Sequence, residues 1–115
     1  MLNKINRLKK RKEFNFIYKK GSIAHSNSFF MHYVKTYRKY PQIGISVSKQ
    51  VGNSVIRSRV KRIISEACRL NIDSFAIKNY VITAKESIKD KSSKDVEIEL
   101  LHMLKKNNLF RGENV

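Results

Sequence analysis

The sequence predicts one α+β domain in the order α-β-β-β-α-β-α, a two-layer sandwich with a mixed sheet and the helices on one face. Three observations carry this. Short stretches rich in aromatic and β-branched residues alternate with segments of helical periodicity. One Pro, four Gly and no repeat or low-complexity run leave nothing to divide the 115 residues, so the chain reads as a single domain over 1–115. Hydrophobic residues make up 41%, and a chain of this length buries roughly two-thirds of its unfolded surface, enough for a modest core.

The elements follow in order. Residues 1–8 read as a loose basic lead-in. Phe14, Ile17 and Tyr18 fall at i, i+3 and i+4 and predict a short helix over 9–20. Gly21 supplies its stop. Residues 22–26 allow a short strand. Residues 28–37, SFFMHYVKTY, predict a long one, and 43–48, IGISVS, another. The turn around Pro41 between these two suggests a hairpin. Gly52, Asn53 and Ser54 supply a turn and an N-cap. From there Ile56, Val60, Ile63, Ile64 and Ala67 share one side of a helix. Residues 80–85, YVITAK, predict the last strand. Ser92 or Ser93 caps a final helix over about 95–108, with Val96, Leu100, Leu101 and Leu104 facing inward. A loose tail is expected over 109–115.

Charge is the outlier. There are 25 Lys and Arg against 9 Asp and Glu, a formal net charge of +16. A compact domain repels itself at that charge unless a polyanion binds it, and nucleic acid is the first candidate partner. An anionic membrane surface is the second candidate, ranked below nucleic acid, so no membrane partner is expected; no apolar run approaches the roughly 20 residues that span a bilayer. The first fourteen residues are basic without an apolar stretch behind them and are not read as a secretory signal. The lone Cys68 excludes an internal disulfide and fits a reducing cytoplasm.

The cations concentrate on the central helix. Lys61, Arg62 and Arg69 project away from its apolar stripe, with Ser58 and Ser65 between them, while Arg57 and Arg59 flank the stripe. Most are Arg, whose planar fork suits phosphate. They begin at the helix start, where free N–H groups and the dipole already favour anions. A catalytic constellation is not visible. His25, His32 and His102 are scattered, Cys68 reads as packing, and the helix dipole accounts for Asp95, Glu97 and Glu99.

The run Ser48-Lys49-Gln50-Val51-Gly52-Asn53-Ser54-Val55-Ile56-Arg57-Ser58-Arg59-Val60-Lys61-Arg62 resembles the signature of the bacterial ribonuclease P protein subunit. Arg7-Leu8-Lys9-Lys10 with Phe14, Tyr18 and Gly21 is similar to the start of that family. Phe30 to Tyr33, Gly44 to Val47 and Tyr80 to Ala84 also fit in order, so the resemblance covers roughly residues 5–108. Two positions depart from it. Ser58 replaces the Asn of an Arg-Asn-Arg motif, and Ser65 stands where relatives commonly have Arg.

The resemblance implies a left-handed β-α-β crossover, which the general rule on handedness would reject. It implies a subunit that binds a large catalytic RNA and the 5′ leader of precursor tRNA, so that the complex removes the leader. The chain would then be an enzyme component whose catalytic centre lies in the RNA. Mg²⁺ would be held mainly by that RNA and none by the protein alone, and no obligate protein partner would be needed. Lys49, Asn53, Arg57, Ser58, Arg59, Lys61, Arg62 and Arg69 would bind the RNA subunit. A cleft between the first helix and the sheet would hold the leader. Phe14 and Tyr18 lie one turn apart on that helix. Met31 and Tyr33 share one face of the strand, while Phe30 and His32 take the other. Aromatic rings beside cations suit unpaired bases, and Phe14, Tyr18, Met31 and Tyr33 are the leader-binding set, with Phe30 assigned to the core. The competing readings are a ribosomal-type RNA-binding or RNA-chaperone protein and a self-sufficient metal-dependent nuclease, which the poor carboxylate set disfavours.

Overall fold

The computed structural model describes residues 2–111. Three helices, α1 (Arg11–Lys20), α2 (Ser54–Leu70) and α3 (Ser93–Lys106), enclose four strands, β1 (Ser22–His25), β2 (Phe29–Val34), β3 (Gln42–Ser46) and β4 (Asn79–Ala84). The strand order is β1-β2-β4-β3. β1 and β4 run antiparallel to β2, with Phe30 opposite both His25 and Thr83. β3 runs parallel to β4, Ile43 beside Tyr80 and Ile45 beside Ile82. The fold is therefore α+β with a mixed sheet, and α2 makes the crossover between its two parallel strands.

The expected hairpin between β2 and β3 does not form, because β4 lies between them. The reason is burial. Tyr80, Val81 and Ile82 are consecutive and all buried, and a run apolar on both faces belongs at the centre of a sheet.

The helices do not share one face. Phe29, Met31, Ile43, Tyr80, Ile82 and Ala84 pack with Val60, Ile64, Ala67 and Cys68 of α2 and Val96, Leu100, Met103 and Leu104 of α3 in the main core. Val81 points the other way and joins Leu8 and Ile17 in a second cluster, flanked by Phe14 and Val34. The structure is thus three-layered, with α1 alone on the second face. Gly44 makes this seat possible, because a Cβ there would collide with the Phe14 ring.

The lead-in is not loose. Leu2 and Leu8 are buried, and the Leu8 N–H donates to the Ile43 carbonyl at 3.1 Å. Asn6 Nδ2 donates to the Pro41 carbonyl at 2.8 Å and Gln42 Nε2 to the Ile5 carbonyl at 3.1 Å. These bonds cover the outer edge of β3, which would otherwise expose unpaired backbone groups. At the other end Leu109 is buried and Phe110 bridges to Phe75, so the tail is anchored that far. Residues 112–115 of the expected loose tail lie outside the described residues.

The acidic residues of α3 have distinct tasks. Ser92 and Asp95 cap the helix reciprocally, at 3.1 and 3.0 Å. Glu97 accepts from Asn71 Nδ2 at 2.9 Å. Glu99 accepts from Ser26 Oγ, the Ser28 N–H and Ser28 Oγ at 2.9, 3.0 and 2.7 Å, clamping the β1–β2 turn onto α3. The dipole explanation fits Asp95 and misses the other two.

Candidate nucleic-acid interface

The start of α2 is built by its cap. Asn53 Oδ1 accepts from the Ile56 N–H at 3.0 Å, and the Arg57 N–H bonds to the Asn53 carbonyl at 2.9 Å. The apolar stripe seats Val60, Ile64 and Ala67 in the core, which turns Lys61 and Arg62 out to solvent. Arg57 is half-buried, its Nε donating to the Gly52 carbonyl at 3.2 Å. Arg59 is exposed and reaches the Lys89 and Lys91 carbonyls at 3.3 and 3.5 Å. Lys49 and Ser58 are exposed as well.

Arg69 stands apart from this group. It lies twelve residues beyond Arg57, roughly 18 Å along the axis, and pairs with Glu66 at 2.8 Å. The guanidinium holds the Glu66 carboxyl down at about 2. Ser65 is buried on the same side of α2 as Ser58, Lys61 and Arg62. Cys68 is fully buried and burial pushes its thiol up, the behaviour of a packing residue rather than a nucleophile.

The aromatic row takes a different course from the expected one. Met31 is fully buried in the main core, and Tyr33 packs against that core with its ring 6.4 Å from Tyr80. Both point to the α2–α3 side, away from α1. The residues of β2 that share the α1 side are Phe30 and His32. The Tyr18 ring meets His32 edge-on at 4.9 Å, His32 meets Phe30 at 5.7 Å, and Phe30 meets His25 at 5.9 Å. This row crosses from α1 to β1, with Phe30 half-buried and Tyr18 exposed. Beneath it, His32 Nδ1 and Thr83 Oγ1 are buried without a hydrogen-bond partner among the described residues. Burial first, and then the neighbouring His25, lower the His32 pKa below its ordinary value.

Phe14 lies over β3 instead. With Gly44, Arg7 and Leu8 it lines a cavity of about 410 Å³ whose opposite wall is Ser58, Lys61, Arg62 and Ser65 of α2. One expected leader residue is thereby brought together with three residues of the expected RNA-subunit set. An apolar floor, a ring and two free-standing cations can take a nucleotide with its base against Phe14 and its phosphate toward Lys61 and Arg62.

A family model described as Ribonuclease P matches residues 2–108. The chain belongs to the ribonuclease P protein family. Among curated relatives, the ribonuclease P protein component of Clostridium botulinum (strain Langeland) is 42% identical over 110 residues, covering 93% of this chain and 98% of that protein. The component from Alkaliphilus metalliredigens is 37% identical over 106 residues, 91% and 96% of the two chains. Among solved structures, the Staphylococcus aureus RNase P protein aligns with a TM-score of 0.84 at 31% identity, over 92% of this chain and 98% of that one. The Thermotoga maritima RNase P protein gives 0.80 at 25% identity, over 87% and 96%.

A ribonuclease P protein of this sequence thus presents an exposed cationic helix that borders the Phe14 cavity and, on the α1 side of the sheet, a ring-lined cleft running from Tyr18 to His25. Sequence reasoning missed Phe30 and His32 in the cleft, since β2 is apolar or aromatic on both faces. It also missed Arg7, which is placed by the bridge to Ile43. Glu66, Asp95, Glu97 and Glu99 are each engaged, and among the described residues no three His, Cys, Asp or Glu could hold an ion. No helix among them is long and apolar enough to cross a membrane.

Proposed function

We propose that this chain binds the catalytic RNA subunit of ribonuclease P and the 5′ leader of precursor tRNA, and so supports removal of the leader. The observation that carries the reading is the start of α2. There Arg57 and Arg59 are held by backbone carbonyls close to a capped helix N-terminus that favours phosphate, and Lys61 and Arg62, a turn further on, have no partner among the described residues. Fixed cations beside RNA phosphates lower the repulsion that folded RNA must overcome. The leader lies on the α1 side of the sheet, over Tyr18, His32 and Phe30, with Phe14 at its edge. Bases stacked on rings are bound with little regard to identity, which suits a subunit that serves many precursors. The reacting metal, Mg²⁺, belongs to the RNA in this reading, and the protein needs no further protein partner to act. Cytoplasmic residence follows from the tRNA substrate.

Reconstitution tests it. The protein, a bacterial ribonuclease P RNA and a labelled precursor tRNA are combined at limiting Mg²⁺. Cleavage at the mature 5′ end should require the RNA and should be stimulated by the protein. Cleavage by the protein alone, abolished by a carboxylate substitution, overturns the reading in favour of a self-sufficient nuclease. The S. aureus relative has also been solved as a mutant described as defective in mRNA degradation, so a messenger RNA is the second substrate for the same assay.

A further inference from the structure

The outer side of α1 carries a surface that neither the cleft nor the cationic helix uses. Lys12, Asn15, Phe16 and Lys19 recur at i, i+3, i+4 and i+7 and share one exposed stripe of that helix. Phe16 is 54% exposed. It borders a groove of about 480 Å³ that is lined also by Ile17 and by Asn79 at the start of β4. Asn79 Oδ1 is buried without a hydrogen-bond partner among the described residues, and neither Lys12 nor Lys19 has an ion-pair partner among them. The groove is separate from the ring-lined cleft. Asn79 pairs with Val34 and Gln42, at the opposite end of the sheet from Phe30 and Thr83. Phe16 stands two positions from Tyr18, so the two rings leave α1 on nearly opposite sides.

We propose that this groove docks an acidic amphipathic helix of a protein partner, laid along α1 with an apolar side chain against Phe16 and carboxylates on Lys12 and Lys19. The two lysines stand seven residues apart, roughly 10 Å along the axis. Acids at i and i+7 of a second helix match both, and the residues at i+3 and i+4 then point between them. Charge selects the partner. A net charge of +16 repels a second copy of this chain and attracts an acidic protein. The lining disfavours RNA. Its cations are lysines, without the planar fork that grips phosphate. Glu13, the one acid in the lining, repels phosphate, and Ile17 makes the wall aliphatic. An exposed phenylalanine alone is ordinary. This one lies between two cations, over a groove with an acceptor left for the partner's amide or hydroxyl. The helix that carries it is already seated by buried Ile17, so little ordering is needed on docking. A partner held here leaves the cleft and α2 free for RNA, and cleavage does not require it.

The probe is a labelled, Ala-rich helical peptide with Glu at i and i+7 and Leu at i+3 and i+4. Its counterpart has Lys in place of both Glu. Fluorescence anisotropy follows the acidic peptide against the full chain, free and assembled with a bacterial ribonuclease P RNA, and the lysine peptide against the free chain. Four proteins are compared: wild type, Phe16→Ala, Lys12→Glu with Lys19→Glu, and a charge-matched control, Lys94→Glu with Lys106→Glu on α3. All the substituted side chains are exposed, and equal melting temperatures confirm intact folding. Wild type should bind the acidic peptide in both states. Phe16→Ala should weaken that binding about tenfold or more and leave precursor cleavage unchanged. The α1 reversal should lose the acidic peptide and gain the lysine one. The α3 reversal should stay within about twofold of wild type at physiological salt, where distant charges are screened. Equal losses in the two reversals overturn the inference, since the peptide then answers only to net charge. A wild type that does not bind the acidic peptide overturns it as well. An acidic peptide bound by the free chain but excluded from the assembled particle, or a loss of RNA affinity in Phe16→Ala, overturns it by making RNA the occupant.

Discussion

Gly44→Ala is a one-methyl test of how α1 is seated. A Cβ at this position would stand 2.7 Å from Phe14 Cε2 and closer still to Cζ. The Phe14 ring must then swing away or α1 must rise from β3. Overpacking of this kind costs about 1–3 kcal/mol. The backbone at Gly44 is ordinary strand, so the alanine also gains about 0.4–1 kcal/mol by restricting the unfolded chain. The net expectation is a loss of about 0–2.6 kcal/mol in the wild-type background. In a Phe14→Ala background the obstacle is gone and only the small gain remains. Urea denaturation of the four proteins closes the cycle, and the coupling between the two positions should be about 1–3 kcal/mol. The same substitution should weaken precursor binding, since the displaced ring borders the cavity shared with Lys61 and Arg62. If Gly44→Ala has the same effect in both backgrounds, α1 does not lie on β3 as described and the cleft geometry fails with it.

Tyr18→Ala should lower affinity for a precursor with a leader of several nucleotides by about tenfold, from a stack worth roughly 1–3 kcal/mol, and leave mature tRNA unaffected; equal losses for both would remove Tyr18 from the cleft. Tyr33→Ala should do the reverse, lowering the melting temperature with leader affinity kept, as binding curves beside a thermal melt would show. Ser92→Ala should cost about 1 kcal/mol through the lost cap, read as a lower urea midpoint. His32 favours its neutral form in the fold, so its stabilisation is complete above the unfolded value of about 6.5 and is lost as pH falls below that toward the lowered folded value. His32→Gln should flatten the stability profile as pH falls below about 6.5, and an unchanged slope would show that His32 is not desolvated.

Most elements were legible because their signals are local. The stripe from Ile56 to Ala67 and the Asn53 cap are carried by neighbouring residues, and so are the Ser92 cap and the apolar run at β4. What failed was relative placement. A short loop around Pro41 reads as a hairpin, yet the need to bury Tyr80, Val81 and Ile82 on both sides inserts β4 between the two strands. The same effect hid the cleft. FFMHYV carries bulky residues at every position, so alternation divides Phe30 and His32 from Met31 and Tyr33 but does not say which pair meets α1. The lead-in looked unstructured because its anchors, Asn6 to Pro41 and Leu8 to Ile43, are contacts across more than thirty residues that no local pattern announces.

The position of β4 bears on how the chain is made. The strand that joins β2 to β3 is the last of the four to leave the ribosome. Until Asn79 to Ala84 have emerged, β1 and β2 form only a two-stranded ribbon, marginal in water, and β3 has no neighbour within the sheet. The pairings that complete the sheet span long stretches of chain, the kind of topology that folds slowly. A nascent chain stalled after α2 would expose Ile43, Ile45 and the apolar side of α2 together with 17 of the 25 Lys and Arg beside the RNA-rich surface of the ribosome. Release of the C-terminal third is therefore the step at which a sticky polycation becomes a protein with a defined binding face.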